Sequence, residues 1–369
     1  MRTDCHGGNI YKKARELGIS QDRIMDFSAN ISPLGIPEEI RQAVIASIDD
    51  MINYPDPECT RLREAIAEND KVRKEWIVCG NGGADLLFRL AFGMKPGKVL
   101  LPVPAFVEYE EALRTAGSRI TYYKMDEDLM PKDDLLFRIT EEYDMLILCN
   151  PNNPTGLLLG RDYLLRVLEQ AKKAGVFLML DECFLEICRG EEDLTLKPYL
   201  EQYDNLIILK SFTKLYALPG IRLGYLLSSN PEVIEAVNRA GQSWSVSTLA
   251  QEAGICALTL KDYKERVIET VGQELAYMKK EMVSMPIRLY DGQANYLFFR
   301  APGREDLDRE LEKRGFMIRN CSNYVNLGRD YWRVAVKDHA SNLQLIRALR
   351  DILGESQSLS DGNNSFNRD

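Results

Sequence analysis

Residues 206–225 read LIILKSFTKLYALPGIRLGY, and this stretch decides how the chain is to be read. Leu206-Ile207-Ile208-Leu209 is apolar without alternation, as expected of a strand buried on both faces. Ser211 and Lys214 follow it, and eight residues further on comes Arg222, inside Pro219-Gly220-Ile221-Arg222-Leu223-Gly224-Tyr225. A hydroxyl, an amine and a guanidinium at the end of one buried strand can hold a phosphate and form an imine with an aldehyde. The flanking Phe212, Leu215, Ile221 and Leu223 argue against three solvated surface residues.

The same punctuation recurs upstream. Trp76-Ile77-Val78-Cys79 ends at Gly80-Asn81-Gly82-Gly83, and Val99-Leu100-Leu101 runs into Pro102-Val103-Pro104. Met145 to Cys149 stops at Asn150-Pro151-Asn152-Asn153-Pro154-Thr155-Gly156, and Val176 to Leu180 stops at Asp181-Glu182. Ala84–Ala91 and Tyr163–Ala174 have helical spacing. Short apolar strands separated by helices predict an α/β fold with a mainly parallel sheet covered on both faces. Ligands of such sheets bind beyond the carboxyl ends of the strands. Here glycine, asparagine, aspartate and lysine follow four of those ends.

Further on, Asp262–Met282 reads as a long helix, Ala294–Phe299 and Tyr331–Val336 as strands, and Leu307–Arg314 and Ala340–Leu353 as helices. This predicts a smaller α+β domain. The expected division is a large domain over 41–275, a small domain from 1–40 and 276–354, and a disordered polar tail over 355–369. No internal repeat is visible.

Composition narrows the function class. The 369 residues carry 47 Lys plus Arg against 56 Asp plus Glu, a net charge of −9, which argues against a nucleic-acid partner. No apolar run reaches the ~20 residues of a membrane span. The first residues do not read as a signal peptide. Eight cysteines without a Cys-x-x-Cys pair suggest reduced thiols and a cytoplasmic setting. Two histidines, His6 and His339, make a zinc site unexpected, so no metal is predicted.

Pyridoxal phosphate offers both the phosphate and the aldehyde that the lysine segment suits. Asp181 would keep a pyridine nitrogen protonated, because an opposite charge favours the charged form. A pyridinium is the electron sink that stabilises a carbanion beside it. Asp181 alone would equally serve as a helix cap. Gly80-Asn81-Gly82-Gly83, between strand and helix, is a phosphate cradle in principle, though a weak signal by itself. The two prolines around Asn152-Asn153 fix a rigid loop from which Asn153 can donate to a ring oxygen.

Asn-Pro-x-Asn-Pro-x-Gly, Asp-Glu-x-Phe, Ser-x-x-Lys and Pro-Gly-x-Arg-x-Gly-Tyr stand in the order and spacing of fold-type I, class I/II aminotransferases, which the chain resembles from His6 to Leu353. Within that superfamily it is similar to histidinol-phosphate aminotransferases and to the threonine-phosphate decarboxylases of cobalamin synthesis. The decarboxylase likeness rests on His6-Gly7-Gly8-Asn9-Ile10, Asp26 to Gly35, Tyr54 to Cys59, Phe184 where aminotransferases carry Tyr, Trp244 to Ser247 and Arg319 to Tyr324. The resemblance implies a Schiff base at Lys214 and a pyridine-nitrogen contact at Asp181. It implies a ring-oxygen contact at Asn153 and ring stacking by Phe106. Gly82, Gly83, Ser211, Arg222 and Tyr54 would hold the cofactor phosphate, Tyr54 in the neighbouring subunit of a homodimer. His6, Gly7, Asn30, Asn153, Arg319 and Arg333 would hold a small phosphorylated amino acid, with Arg333 on its carboxylate and His6, Asn30 and Arg319 on its phosphate.

Two positions depart from the pattern. Gly83-Ala84 replaces a more polar pair, and Lys337 stands where a second arginine is usual, which could shift preference toward serine phosphate. The expected activity is decarboxylation of O-phospho-L-threonine to (R)-1-aminopropan-2-yl phosphate. The alternative is histidinol-phosphate transamination with 2-oxoglutarate. A cofactor-sensing DNA-binding regulator is disfavoured, because the segment ahead of Met51 is short and lacks a helix-turn-helix pattern.

Overall fold

The computed structural model describes residues 6–362, with side chains described as far as residue 354. The tail expected to be disordered lies outside the described residues from 363 on, and beyond the described side chains from 355.

Seven strands form the central sheet: β1 Ile77–Gly80, β2 Lys98–Val103, β3 Arg119–Lys124, β4 Met145–Cys149, β5 Phe177–Asp181, β6 Leu206–Ser211 and β7 Gly224–Leu227. Their spatial order is β1-β7-β6-β5-β4-β2-β3. Every pairing is parallel except those of β7, which runs antiparallel to both β1 and β6. β1, β4 and β6 are buried at every position, in β6 including Lys210 and Ser211 after the apolar run Leu206–Leu209. The reversal of β7 has a consequence for function: its start, just after Arg222, lies at the edge where β5 and β6 end. Ser211 is registered directly opposite Gly224.

Helices cover both faces. Gly83–Met94 and Val107–Thr115 pack with Leu86, Leu90, Tyr109 and Leu113 against one face. Arg161–Lys173 presents Leu164, Val167, Leu168 and Ala171 to the other. The expected helices and strands recur with ends displaced by up to three residues, the usual uncertainty of frayed termini, except that the last helix, expected over Ala340–Leu353, runs His339–Gly362 and so takes up residues 355–362 of the expected tail.

A second, antiparallel sheet has the order Arg319–Asn320, Tyr331–Ala335, Tyr296–Arg300, Arg288–Leu289. The N-terminal segment joins this part of the molecule, since Met25–Asp26 pairs in parallel with Phe316–Met317. Lys261–Met282 bridges the two cores. Its stripe Tyr263, Val267, Val271 lies in the apolar cluster of the large sheet, and Leu275, Met278, Met282 lie in that of the small one.

Candidate active site

A cavity of about 610 Å³ opens at the carboxyl ends of β4, β5 and β6 and is closed from the other side by the N-terminal segment and the small sheet. His6, Gly7, Asn30, Gly83, Phe106, Asn153, Asp181, Ser211, Lys214, Arg222, Arg319 and Arg333 all line it, which are twelve of the fourteen positions expected from sequence. Gly82 lies just behind the wall. Tyr54 is elsewhere: it is 79% exposed and stacks on Trp244 with ring centroids 4.6 Å apart. Lys337, the departure noted above, does not line the cavity, and its ammonium lies over Phe27.

One end of the cavity suits a phosphate. Gly82 adopts φ +86°, which favours glycine, and a Cβ there would stand 2.6 Å from Arg222 Nη2 and push the guanidinium from its place. Arg222 itself sits at φ +58°, an uncommon conformation for a side-chain-bearing residue and one often found at functional sites. Its Nη1 donates to the Pro219 carbonyl. Ser211 and Thr213 share a hydroxyl–hydroxyl bond of 2.7 Å beside it. Gly83 and Ala84 begin a twelve-residue helix on the cavity wall, adding the positive end of its dipole. Ala84 contributes no polar side chain.

The middle holds the titratable groups. Asp181 is buried, and burial pushes its carboxyl up. Hydrogen bonds from Cys183 and Tyr109 oppose that shift. Asp181 Oδ1 accepts from the Cys183 backbone N–H, and Oδ2 accepts from the Tyr109 hydroxyl. Asp181 thus closes a local turn and also presents a carboxylate to the cavity; it does not cap the following helix Leu185–Ile187, whose N-cap is Phe184. Lys214 is pushed down to about 8, mainly by burial and then by the nearby Arg333 guanidinium. A lysine with a depressed pKa has more of the neutral amine that attacks aldehydes.

The far end is a network around Arg333. Its Nη1 donates to Asn153 Oδ1 at 2.6 Å and its Nη2 to the Ser28 carbonyl at 3.0 Å. With its amide turned to satisfy both ends, Asn30 accepts from Nε and Nη1 at 3.3 Å. Tyr324 also donates to Asn153 Oδ1, leaving the amide nitrogen of Asn153 as its donor. Arg319 donates to Asn323 and packs over Tyr324. His6 bonds Glu108 at 2.6 Å and leans on Phe106.

Sequence reading missed Tyr109, Glu108, Tyr324 and Ser28. Tyr109 lies three residues after Phe106 at the start of a helix, so helical phase alone would place both on one face. Ser28 acts through its carbonyl, which no side-chain pattern reveals.

The donor set fits pyridoxal phosphate: a phosphate end, an amine, a buried carboxylate and a stacking ring, in the order the molecule requires. Residues 22–349 match the family model described as aminotransferase class I and II. A threonine-phosphate decarboxylase of Salmonella typhimurium is 38% identical over 354 residues, 95% of this chain and 96% of that one. A histidinol-phosphate aminotransferase of Methanosphaera stadtmanae is 29% identical over 362 residues, 95% of this chain and 96% of that one. The crystal structure of the histidinol-phosphate aminotransferase from Clostridium acetobutylicum superposes with a TM-score of 0.84 at 28% identity, covering 89% of this chain and 99% of that one. With a lysine, a buried aspartate and an end suited to phosphate in one cavity, and with the family model matched over residues 22–349, this chain belongs to the class I and II aminotransferase family of pyridoxal-phosphate enzymes.

Proposed function

We propose that this enzyme decarboxylates O-phospho-L-threonine to (R)-1-aminopropan-2-yl phosphate and accepts O-phosphoserine as a second substrate. The observation that carries this reading is a second end suited to anions, whose fixed charges are the guanidinium groups of Arg319 and Arg333. Beyond the group at Arg222, the cavity has His6, Arg319 and Arg333, which suit a ligand with both a carboxylate and a phosphate. The 38% identity to a threonine-phosphate decarboxylase over nearly the full length of both chains supports it.

Bound pyridoxal phosphate supplies an electron-withdrawing ring that weakens a bond at the substrate's α-carbon. The protein decides which bond. Arg333, tethered to Asn153 and Ser28, would hold the carboxylate in one orientation about that carbon. Asp181, braced by Tyr109, would stay charged against the ring nitrogen. Lys214 Nζ would carry the proton that replaces the lost carboxylate. An orientational preference of only ~1.4 kcal/mol changes the product ratio tenfold. That small margin explains how similar cavities run either decarboxylation or transamination.

The proposal extends to the assembly. Ile45, Ile48, Met51, Ile52 and Tyr54 are exposed along one stretch, and we read this surface as the seam of a homodimer in which Tyr54 reaches the partner's cofactor phosphate. We take 41–275 as the cofactor-binding domain and 1–40 with 276–354 as the small one, since Lys261–Met282 changes cores near residue 275. We place the enzyme in the cytoplasm, in line with seven free described cysteines. Among the described residues no helix is long and apolar enough to cross a membrane.

The test is purified enzyme with O-phospho-L-threonine and no oxo acid, followed for carbon dioxide. Sustained release supports the proposal. No release, with histidinol phosphate consumed only when 2-oxoglutarate is present, would replace it with the aminotransferase reading that the aminotransferase relatives favour.

A further inference from the structure

The turn Gly80–Gly83 has to hold a phosphate with its main chain, because Gly83 and Ala84 supply no polar side chain there. The donors stand at the start of the helix Gly83–Met94. The N–H groups of Gly83, Ala84 and Asp85 have no hydrogen-bond partner among the described residues. How well they converge depends on the turn before them, and that turn is closed by two bonds. Gly82 N–H donates to the Gly80 carbonyl at 2.8 Å, and Asn81 N–H donates to Asp85 Oδ2 at 2.9 Å. An acidic side chain at the third helical position can reach back in this way to the start of its own helix. Gly80 makes the room, since a Cβ there would stand 2.9 Å from Asp85 Oδ2 and 2.6 Å from Leu86 Cγ.

A carboxylate in that place also has a drawback. The helix start favours negative charge, but Asp85 and a bound phosphate would share it and repel each other. Arg89, one turn further along the same helix, meets that charge. Its Nη2 lies 3.0 Å from Asp85 Oδ2, and its side chain is only 7% exposed. Neither Nε nor Nη2 makes a well-aligned hydrogen bond, so the contact acts through charge. The guanidinium is seated against Gly241, where a Cβ would stand 2.5 Å from both Cζ and Nη1 of Arg89. Neither Asp85 nor Arg89 lines the cavity.

We propose that Asp85 is a positioning residue for the cofactor phosphate: its carboxylate fixes the Gly80–Gly83 turn so that main-chain N–H groups converge on the phosphate, and Arg89 neutralises that carboxylate so that the phosphate is not repelled. Asp85 acts through the main chain, and Arg89 acts through Asp85. The assignment concerns the cofactor and goes beyond the substrate reading, on which it does not depend.

The test compares pyridoxal 5′-phosphate with pyridoxal, which keeps the ring and the aldehyde and lacks the phosphate. Full-length cofactor-free protein is titrated with each, following the absorbance of the ligand. Asp85→Ala should lower affinity for pyridoxal 5′-phosphate about tenfold, the scale of one lost hydrogen bond to a charged group, and leave affinity for pyridoxal unchanged. Asp85→Asn, whose amide oxygen can still accept from Asn81 N–H, should keep most of the affinity. Arg89→Met should weaken pyridoxal 5′-phosphate by leaving the carboxylate uncompensated, and adding Asp85→Asn to it should restore binding. The assignment is overturned if Asp85→Ala weakens both ligands alike or neither, if Asp85→Asn behaves as Asp85→Ala, or if the double variant binds no tighter than Arg89→Met. Should Arg89→Met not fold, the two Asp85 variants decide the role of Asp85 on their own. Failure of the substrate reading is separable, because no substrate is present in these titrations.

Discussion

At the scale of single residues, the proposed chemistry turns on two atoms: Lys214 Nζ and Asp181 Oδ2. The amine is held down to about 8 by burial and by Arg333. Because its pKa is lowered, the reactive neutral form gains as pH rises to about 8 and is nearly complete above it. The rate at which cofactor-free protein takes up pyridoxal phosphate should therefore climb with pH and level off beyond a midpoint of about 8. A profile still rising at pH 10 would mean that Lys214 behaves as an ordinary lysine. Tyr109 braces the partner atom. Removing its hydroxyl in Tyr109→Phe leaves the Asp181 carboxylate short of one buried hydrogen bond, a loss of about 1–3 kcal/mol for a bond to a charged group. The expected result is cofactor affinity lowered by about tenfold to a hundredfold, measured by equilibrium dialysis, with the melting temperature of the cofactor-free protein little changed.

At the scale of elements, β6 is the strand on which the site hangs, and its other face carries an ionic cluster. Lys210 is fully buried one residue before Ser211. It pairs with Glu191 at 3.1 Å and with Glu186 at 3.4 Å. Glu191 also takes Lys264 at 2.5 Å, and Asp70 takes Lys197 at 2.9 Å and the Tyr225 hydroxyl at 2.7 Å. Burial opposes the charge on Lys210, but Glu186, Tyr225, Asp70 and Glu191 together hold its amine well above the usual lysine range. Replacing it in Lys210→Met leaves buried carboxylates uncompensated, which costs about 3–5 kcal/mol. A clear fall in melting temperature should follow, together with loss of bound cofactor as the Ser211–Lys214 segment loosens. The pH sign follows from the carboxylates. Burial works against ionisation of Asp70 and Glu191, yet the surrounding lysines lower both. Their contribution is complete above their ordinary range, near pH 4.5, and is lost as pH falls below it. Thermal melts between pH 3 and 7 would show the drop at the acid end only.

At the scale of the whole molecule, one chain brings twelve of the fourteen expected positions to a single cavity, with Gly82 just behind its wall and Tyr54 elsewhere. Ile52, 89% exposed, lies two residues before it. On the proposed homodimer, Ile52→Asp should shift the protein to monomers by sedimentation and weaken cofactor binding at the same time, because Tyr54 would no longer reach the neighbouring site. Monomers that keep full cofactor affinity would show that Tyr54 plays no part in the site. The N-terminal segment matters at this scale too. Its parallel pairing with Phe316–Met317 and the anchoring of Gly7 and Gly8 on Ser28 bring residues 6–30 over a cavity built mostly from residues far along the chain.

The sequence by itself determined the parallel sheet and the residues at its ligand edge. Short unbroken apolar runs that stop at glycine, proline, asparagine or aspartate favour strands buried on both faces, and the polar group after each run is a local feature that neighbouring residues record. Lys214, Asp181, Asn153 and Arg222 were legible for that reason. Only the tertiary structure decided what meets them. Tyr109 reaches Asp181 across 72 positions, Arg333 reaches Asn153 across 180 and the Ser28 carbonyl across 305, and His6 reaches Glu108 across 102. A hydrogen bond over such distances has no local signature, since it exists only once β-strand order and the docking of the small sheet have set the two backbones side by side.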